Sequence, residues 1–406
     1  MLAIDREERM AVSRAKLHFG AICTAALGIL AAQPALSQEA SGVSKTEITL
    51  GSWSALKGPF ALYGVPGVAG QTAFFSRLND AGGVNGRKIR VVVEDHGYNP
   101  QQAVAAARKL VDSDKVLAIQ GSYATGPSAA TFPYLTQAGV PYVMPYGGAL
   151  DWYEPTRPLL VGAQTLLDYQ ARAVGRWAGK DGFKNVVVIH AAAPAFEKVA
   201  SNVEPGVKSA AADSKVEMMP VKLGTSDYAP IALEVARKAP DALVFIGTIQ
   251  ELSLLAKELK QQKVQTQLFT YGGNVSADLI KIGGEAVEGL RSVSLSYTVE
   301  SDQPAVREYR EALAKYAPNE QPDYGSLLTY ALAKITAEAI RQAGEPLNRT
   351  TLVQGFEKLK NYDSGIIGKV TLTPEKHLGT TEVLRVQIRN GKWVPIGDFV
   401  DALGAW

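Results

Sequence analysis

Cysteine occurs once in the 406 residues, at Cys23, and histidine only four times. Metal-ligand spacings are missing: there is no H-E-x-x-H, no C-x-x-C and no histidine–carboxylate cluster patterned like a zinc site. No G-x-x-x-x-G-K-[ST] loop, G-x-G-x-x-G turn or G-x-S-x-G elbow is present either. These absences leave no obvious nucleophile, metal or cofactor cradle, so the sequence reads as a non-enzyme that requires no cofactor. His190, at the end of an apolar run, reads as a satisfied core or loop histidine.

Long apolar runs are also scarce. One extends from Phe19 to Ala32, short of the roughly 20 residues a membrane span needs. It follows Arg14 and Lys16 and leads into Pro34-Ala35-Leu36-Ser37, the layout of a cleavable secretory signal over residues 1–37, cut before Gln38. Asp5, Glu7 and Glu8 are foreign to such a leader and make Met10 a second candidate start. Cys23 falls inside the leader, behind an Ile22 too large for lipoprotein processing. The expected product is a periplasmic protein with no thiol, no disulfide and no membrane insertion, held together by packing. It carries 38 basic against 37 acidic residues, which gives no electrostatic case for a nucleic-acid partner.

What remains, about 370 residues, suits two domains better than one core. Short β-rich runs alternate with amphipathic stretches: strands are expected at 48–53, 88–95, 115–121, 141–145, 185–190, 215–221, 241–247, 267–270 and 289–294. Val186-Val187-Val188-Ile189 and Leu243-Val244-Phe245-Ile246 are continuous apolar runs, as in parallel strands covered on both faces. Asn99-Pro100 reads as an N-cap followed by the first helical residue, with Val104, Ala107 and Val111 on one face. Leu252, Leu255 and Leu259 form another helical stripe, opposite Lys257 and Lys260. Three helices in succession, about 303–316, 325–343 and 349–361, precede a β-rich tail over 366–396. Four strands before residue 150 and five after 185 imply two Rossmann-like, doubly wound α/β lobes, whose ligands bind beyond the carboxyl ends of the strands.

The loop Gly121-Ser122-Tyr123-Ala124-Thr125-Gly126-Pro127 follows one strand and opens a helix. Free N–H groups there, with the Ser122 and Thr125 hydroxyls, suit a carboxylate; equally, Ser122 serves only as an N-cap. Gly64, Gly67 and Gly70 have the wrong spacing for a dinucleotide and the right one for close helix packing.

Taken in order, Ile48-Thr49-Leu50-Gly51, Lys57-Gly58-Pro59, Tyr63-Gly64, Asn79 with Gly82-Gly83-Val84-Asn85-Gly86, Glu94-Asp95, Asn99-Pro100, Ala103-Val104-Ala105, Gly121-Ser122 and Gly139-Val140-Pro141 resemble the leucine/isoleucine/valine-binding family of type I periplasmic binding proteins. The resemblance covers nearly the whole mature chain. It implies the substrate-binding component of an ABC importer, a monomer that closes two lobes on a small carboxylate-bearing ligand and docks on a membrane permease. Position by position it implies ligand contacts at Ser122, Tyr146, Gly147, Gly148, Tyr63 and Tyr324 from one lobe. From the other it implies Phe196 (or Ala195), Thr248 with Ile249, and Gly272 to Asn274, including Gly273. Tyr123, Thr125 and Trp53 join them as candidates, with Tyr271 as a further ring. The implied fold is two lobes, 45–160 plus 298–358 and 166–291 plus 367–406, joined by three hinge crossovers near 161–165, 292–297 and 360–366.

Two departures bear on the ligand. Gly148 stands where amino-acid binders carry a threonine, and Gly272-Gly273 where they carry an acid for the ammonium. An ammonium desolvated without a counter-ion is costly, so an aromatic or other amine-free acid is favoured, with branched-chain or aromatic amino acids next should Glu197, Gln250 or Glu251 reach the amine. The same cleft also suits a diffusible sensor that presents its ligand to a membrane receptor.

Overall fold

The structure, a computed structural model, describes residues 41–404; the leader expected over residues 1–37 lies outside the described residues. Among those described, no helix is long and apolar enough to cross a membrane. The strands fall into two sheets. The first comprises β1 (Glu47–Ser54), β2 (Lys88–Asp95), β3 (Ile119–Gln120), β4 (Tyr142–Val143) and β5 (Leu160–Val161), all parallel and in the order β2-β1-β3-β4-β5. The second comprises β6 (Asn185–Ala191), β7 (Lys215–Val221), β8 (Ala242–Ile246), β9 (Gln267–Thr270), β10 (Arg291–Ser294), β11 (Glu382–Arg389) and β12 (Lys392–Asp401). Its order is β12-β11-β10-β9-β8-β6-β7, with β11 and β12 antiparallel at one edge. Every residue of β8 is buried, as its unbroken apolar run requires of a strand with helices on both faces.

Each sheet reverses its winding once, between β1 and β3 in the first and between β6 and β8 in the second, which opens a crevice at the carboxyl ends of those strands. The chain passes between the sheets after β5, after β10 and before β11. These crossings lie side by side: Gly162 pairs with Leu378, and Ser296 with Ile367. Helices Pro304–Tyr316 and Tyr324–Ala343 return to pack against helix Ala61–Asp80 of the first lobe. Helix Arg349–Glu357 is tied to the same lobe by Arg349, whose guanidinium donates to the carbonyls of Leu117, Val116 and Ala138.

Where strand lengths depart from expectation, the backbone gives the reason. Lys115 has φ +54°, Gly121 φ +60° and Met144 φ +47°, outside the extended region, so β3 and β4 are cut to two residues. β5, not expected from the sequence, is two residues long and sits just beyond Pro158.

Candidate functional site

The crevices of the two sheets face each other across a cavity. Phe60 and Tyr63 reach it from the end of β1 and the helix beyond, Tyr98 from the loop after β2, Tyr123 to Thr125 from the loop after β3, and Tyr146 and Gly147 from the loop after β4. Tyr324 opens helix Tyr324–Ala343. Ala195, Phe196 and Val199 follow β6, and Tyr271 and Gly273 follow β9. Gln164, Leu167 and Gln170 complete the wall from the first crossing and helix Leu167–Lys180.

The lining is six tyrosines, two phenylalanines, two glutamines and small or aliphatic residues, with no carboxylate, ammonium, guanidinium or imidazole. The rings form a continuous surface. Phe60 stacks on Tyr98 at 3.6 Å between centroids, Tyr63 lies parallel to Tyr123 at 6.0 Å, and Tyr123 leans on Tyr146 at 5.2 Å. His96, fully buried behind them, accepts from Tyr98 N at Nδ1 (2.8 Å), so its proton is on Nε2, which donates to the Tyr123 carbonyl (3.1 Å). Burial pushes the Tyr98 phenol up to about 12, and those of Tyr63, Tyr123, Tyr146, Tyr271 and Tyr324 further. All six stay neutral at physiological pH. Among the described residues, the hydroxyls of Tyr98, Tyr123 and Tyr146 have no hydrogen-bond partner, and they are not sealed from solvent.

Of the residues expected at the site, Tyr63, Tyr123, Thr125, Tyr146, Gly147, Phe196, Gly273 and Tyr324 come together here, and Tyr271 with them. Five do not. Ser122 is 1% exposed, and its hydroxyl accepts from Trp53 N (3.0 Å) and donates to Ser52 Oγ (3.4 Å), linking β1 to the end of β3. It is no helix cap either, because helix Thr125–Ala129 begins three residues later, after Ala124 at φ +90°. Trp53 is fully buried with Nε1 on Ser128 Oγ. Gly148 gives its N–H to Thr125 Oγ1 (3.2 Å) and packs against Leu166. Thr248 is spent as the N-cap of helix Ile249–Gln261, in a capping box with Glu251. Asn274 is fully buried, bonding Gly247 O and Thr270 Oγ1.

Among the contacts that join the lobes, besides the Lys198–Asp151 ion pair (3.0 Å) and the bond from Leu150 N to Asp168 Oδ2 (3.1 Å), two lie beside the lining tyrosines. The Tyr63 hydroxyl accepts from Ile249 N (2.9 Å) and donates to Asn274 Oδ1 (3.3 Å). Behind Tyr324, the Asp323 carboxylate caps its own helix through Gly325 N (2.9 Å) and also accepts from Ser276 Oγ and Ala277 N in the second lobe, both at 2.8 Å.

The three candidate amine partners are all elsewhere. Glu197 and Gln250 do not line the cavity, and Glu251 is bonded to Thr248 and Gly224 N. At Gly272 a Cβ would stand 2.7 Å from both Gln170 Oε1 and Val293 O, so the position has no room for an acid. Phe60, Tyr98, Gln164, Leu167, Gln170 and Val199 went unnoticed in the sequence. The one available signal was that Phe60 and Tyr98 lie just beyond the ends of β1 and β2.

A family model described as a periplasmic binding protein matches residues 47–392. A Leu/Ile/Val-binding protein homolog from Brucella suis is 25% identical over 314 residues, 75% of this chain and 80% of that one. A branched-chain amino acid ABC transporter protein from Thermus thermophilus, with bound valine, superposes with a TM-score of 0.80 at 18% identity, over 88% of this chain and 97% of that one. A solute-binding protein of an ABC transporter from R. palustris, in complex with benzoate, gives 0.75 at 17%, over 86% and 96%. At these identities the two structures speak to the fold alone.

Proposed function

The chain belongs to the periplasmic binding protein family, and from that premise we propose that it is the substrate-binding component of an ABC importer that captures an amine-free aromatic carboxylate. In this reading it is secreted into the periplasm by the leader over residues 1–37, closes its two lobes about the three crossings, and hands its ligand to a membrane permease. The observation that carries the ligand class is the cavity wall, eight aromatic rings and no charged side chain. Rings give a planar ligand large contact area. An α-ammonium would be desolvated there with nothing opposite it, at a cost of several kcal/mol, whereas a carboxylate finds neutral hydroxyl and amide donors worth about 1.5–3 kcal/mol each. The same fold holds valine in one relative and benzoate in another, so fold does not choose between them, and the uncharged aromatic lining is what supports the amine-free acid.

A thermal-shift screen of aromatic acids, keto acids, amides and amino acids, followed by calorimetry on each amino acid beside its des-amino analogue, tests this. The des-amino member of each pair should bind more tightly. Tighter binding of the amino acids throughout would overturn the amine-free reading.

A further inference from the structure

In an anion site built on the Tyr146-Gly147-Gly148 segment, the two glycine N–H groups would face the ligand, but both are already occupied. Gly148 N–H donates to Thr125 Oγ1, and Gly147 N–H donates to Gln164 Oε1 at 3.1 Å. The second bond fixes how the Gln164 amide lies, since a flip would set its NH2 against the Gly147 N–H. The Gln164 Nε2 therefore points away from Gly147. It has no partner among the described residues and is not among the sealed, unpaired atoms, while the side chain lines the cavity. Thr125, having accepted from Gly148, keeps its hydroxyl proton to give. Both side chains adjoin one glycine: Gln164 Oε1 holds the Gly147 N–H, and a Cβ on Gly147 would stand 3.1 Å from Thr125 Oγ1. Gln170 plays no such part, because its Nε2 is held by Thr165 O (2.7 Å) and its Oε1 abuts Gly272.

We propose that Gln164 is a specificity-determining residue that carries the Gly147 amide's donor role into the cavity and, with Thr125, holds the ligand's carboxylate. This rests on the aromatic-acid reading and deepens it: the site selects an acid by the fixed direction of a neutral amide rather than by a cation.

The test is calorimetry at pH 8 on the wild type, Gln164→Glu and Gln164→Met, with benzoate, 4-hydroxybenzoate, cinnamate, phenylpropionate, phenylalanine and benzylamine as probes. Gln164→Glu keeps an oxygen for Gly147 N–H and replaces the inward N–H by a like-charged oxygen. It should melt near the wild type and yet lose about 100-fold or more in affinity for whichever acid binds best, the scale of placing like charges together, while benzylamine gains. Gln164→Met removes the donor without adding charge and should lose about 10-fold. If the wild type binds an acid of the panel and both variants bind it within twofold, Gln164 is structural only and the inference is overturned. If the wild type binds none of the acids, the aromatic-acid reading itself falls and takes this inference with it.

Discussion

His96 joins two walls of the cavity through one neutral ring, and its environment sets a direction for pH effects. Burial lowers its pKa below the ordinary 6.5, with the Tyr123 carbonyl working the other way. The unfolded chain then takes up the proton more readily than the folded one, so the stability this histidine contributes is fully present above pH 6.5 and is lost as pH falls through the lower folded value. Relative to wild type, His96→Asn should show a melting-temperature deficit at pH 8 that shrinks by pH 5; a deficit constant with pH would mean that the ring does not titrate in the fold. The phenols behave oppositely, since with Tyr98 raised to about 12 ligand affinity should stay flat from pH 7 to 10, and absorbance at 295 nm should show no tyrosinate from them in that range. Ser122 shows what a sequence conceals at this scale. Its loop was legible as a cavity loop, but whether its hydroxyl faces ligand or strand depends on β3 lying beside β1 so that Trp53 N meets Ser122 Oγ. Ser122→Ala should therefore cost about 1–3 kcal/mol of stability by stranding that buried N–H, read by urea unfolding, while affinity changes less than twofold.

Among the elements, helix Ala61–Asp80 does most to bring the first lobe's parts into contact. Its glycines read from spacing as packing residues, and they are: a Cβ on Gly64 would stand 2.1 Å from Ala55 O, and one on Gly70 2.0 Å from Ser326 O. Gly70→Ala should destabilise by about 1–3 kcal/mol, the range for overpacking a tight interface, with a lower urea midpoint and an unchanged slope. Strands with continuous apolar runs, such as β6 and β8, were legible because burial on both faces dictates composition. β3 and β4 were legible only as longer strands, because their ends are set by left-handed residues such as Lys115 and Met144 that carry no composition signal, and two-residue β5 was not legible. The cavity lining followed the same division: loops after strands could be named, but Gln164 and Gln170 belong to a crossing and a helix, where nothing in the residue pattern separates them from ordinary surface glutamines.

For the whole molecule, the decisive feature is that the lobes are hydrogen-bonded directly to each other. Tyr63 holds Ile249 and Asn274, and Asp323 holds Ser276 and Ala277. Ordinary hydrogen bonds contribute about 1 kcal/mol each, and those to a carboxylate more, so on the proposed closing motion these contacts would oppose opening whether or not a ligand is bound. Tyr63→Phe deletes one contact without changing the ring surface, and small-angle scattering of the ligand-free protein should then show a larger radius of gyration than wild type. Equal radii would mean that the Tyr63 bonds contribute nothing to closure. The consequence is a matter of timing. On the proposed closing motion, a site held shut by these bonds would be entered only during brief openings, so capture would be gated by the protein's own clock and not by diffusion. In stopped-flow mixing the observed rate should climb with ligand concentration and then level off at the opening rate, and Tyr63→Phe should raise that ceiling.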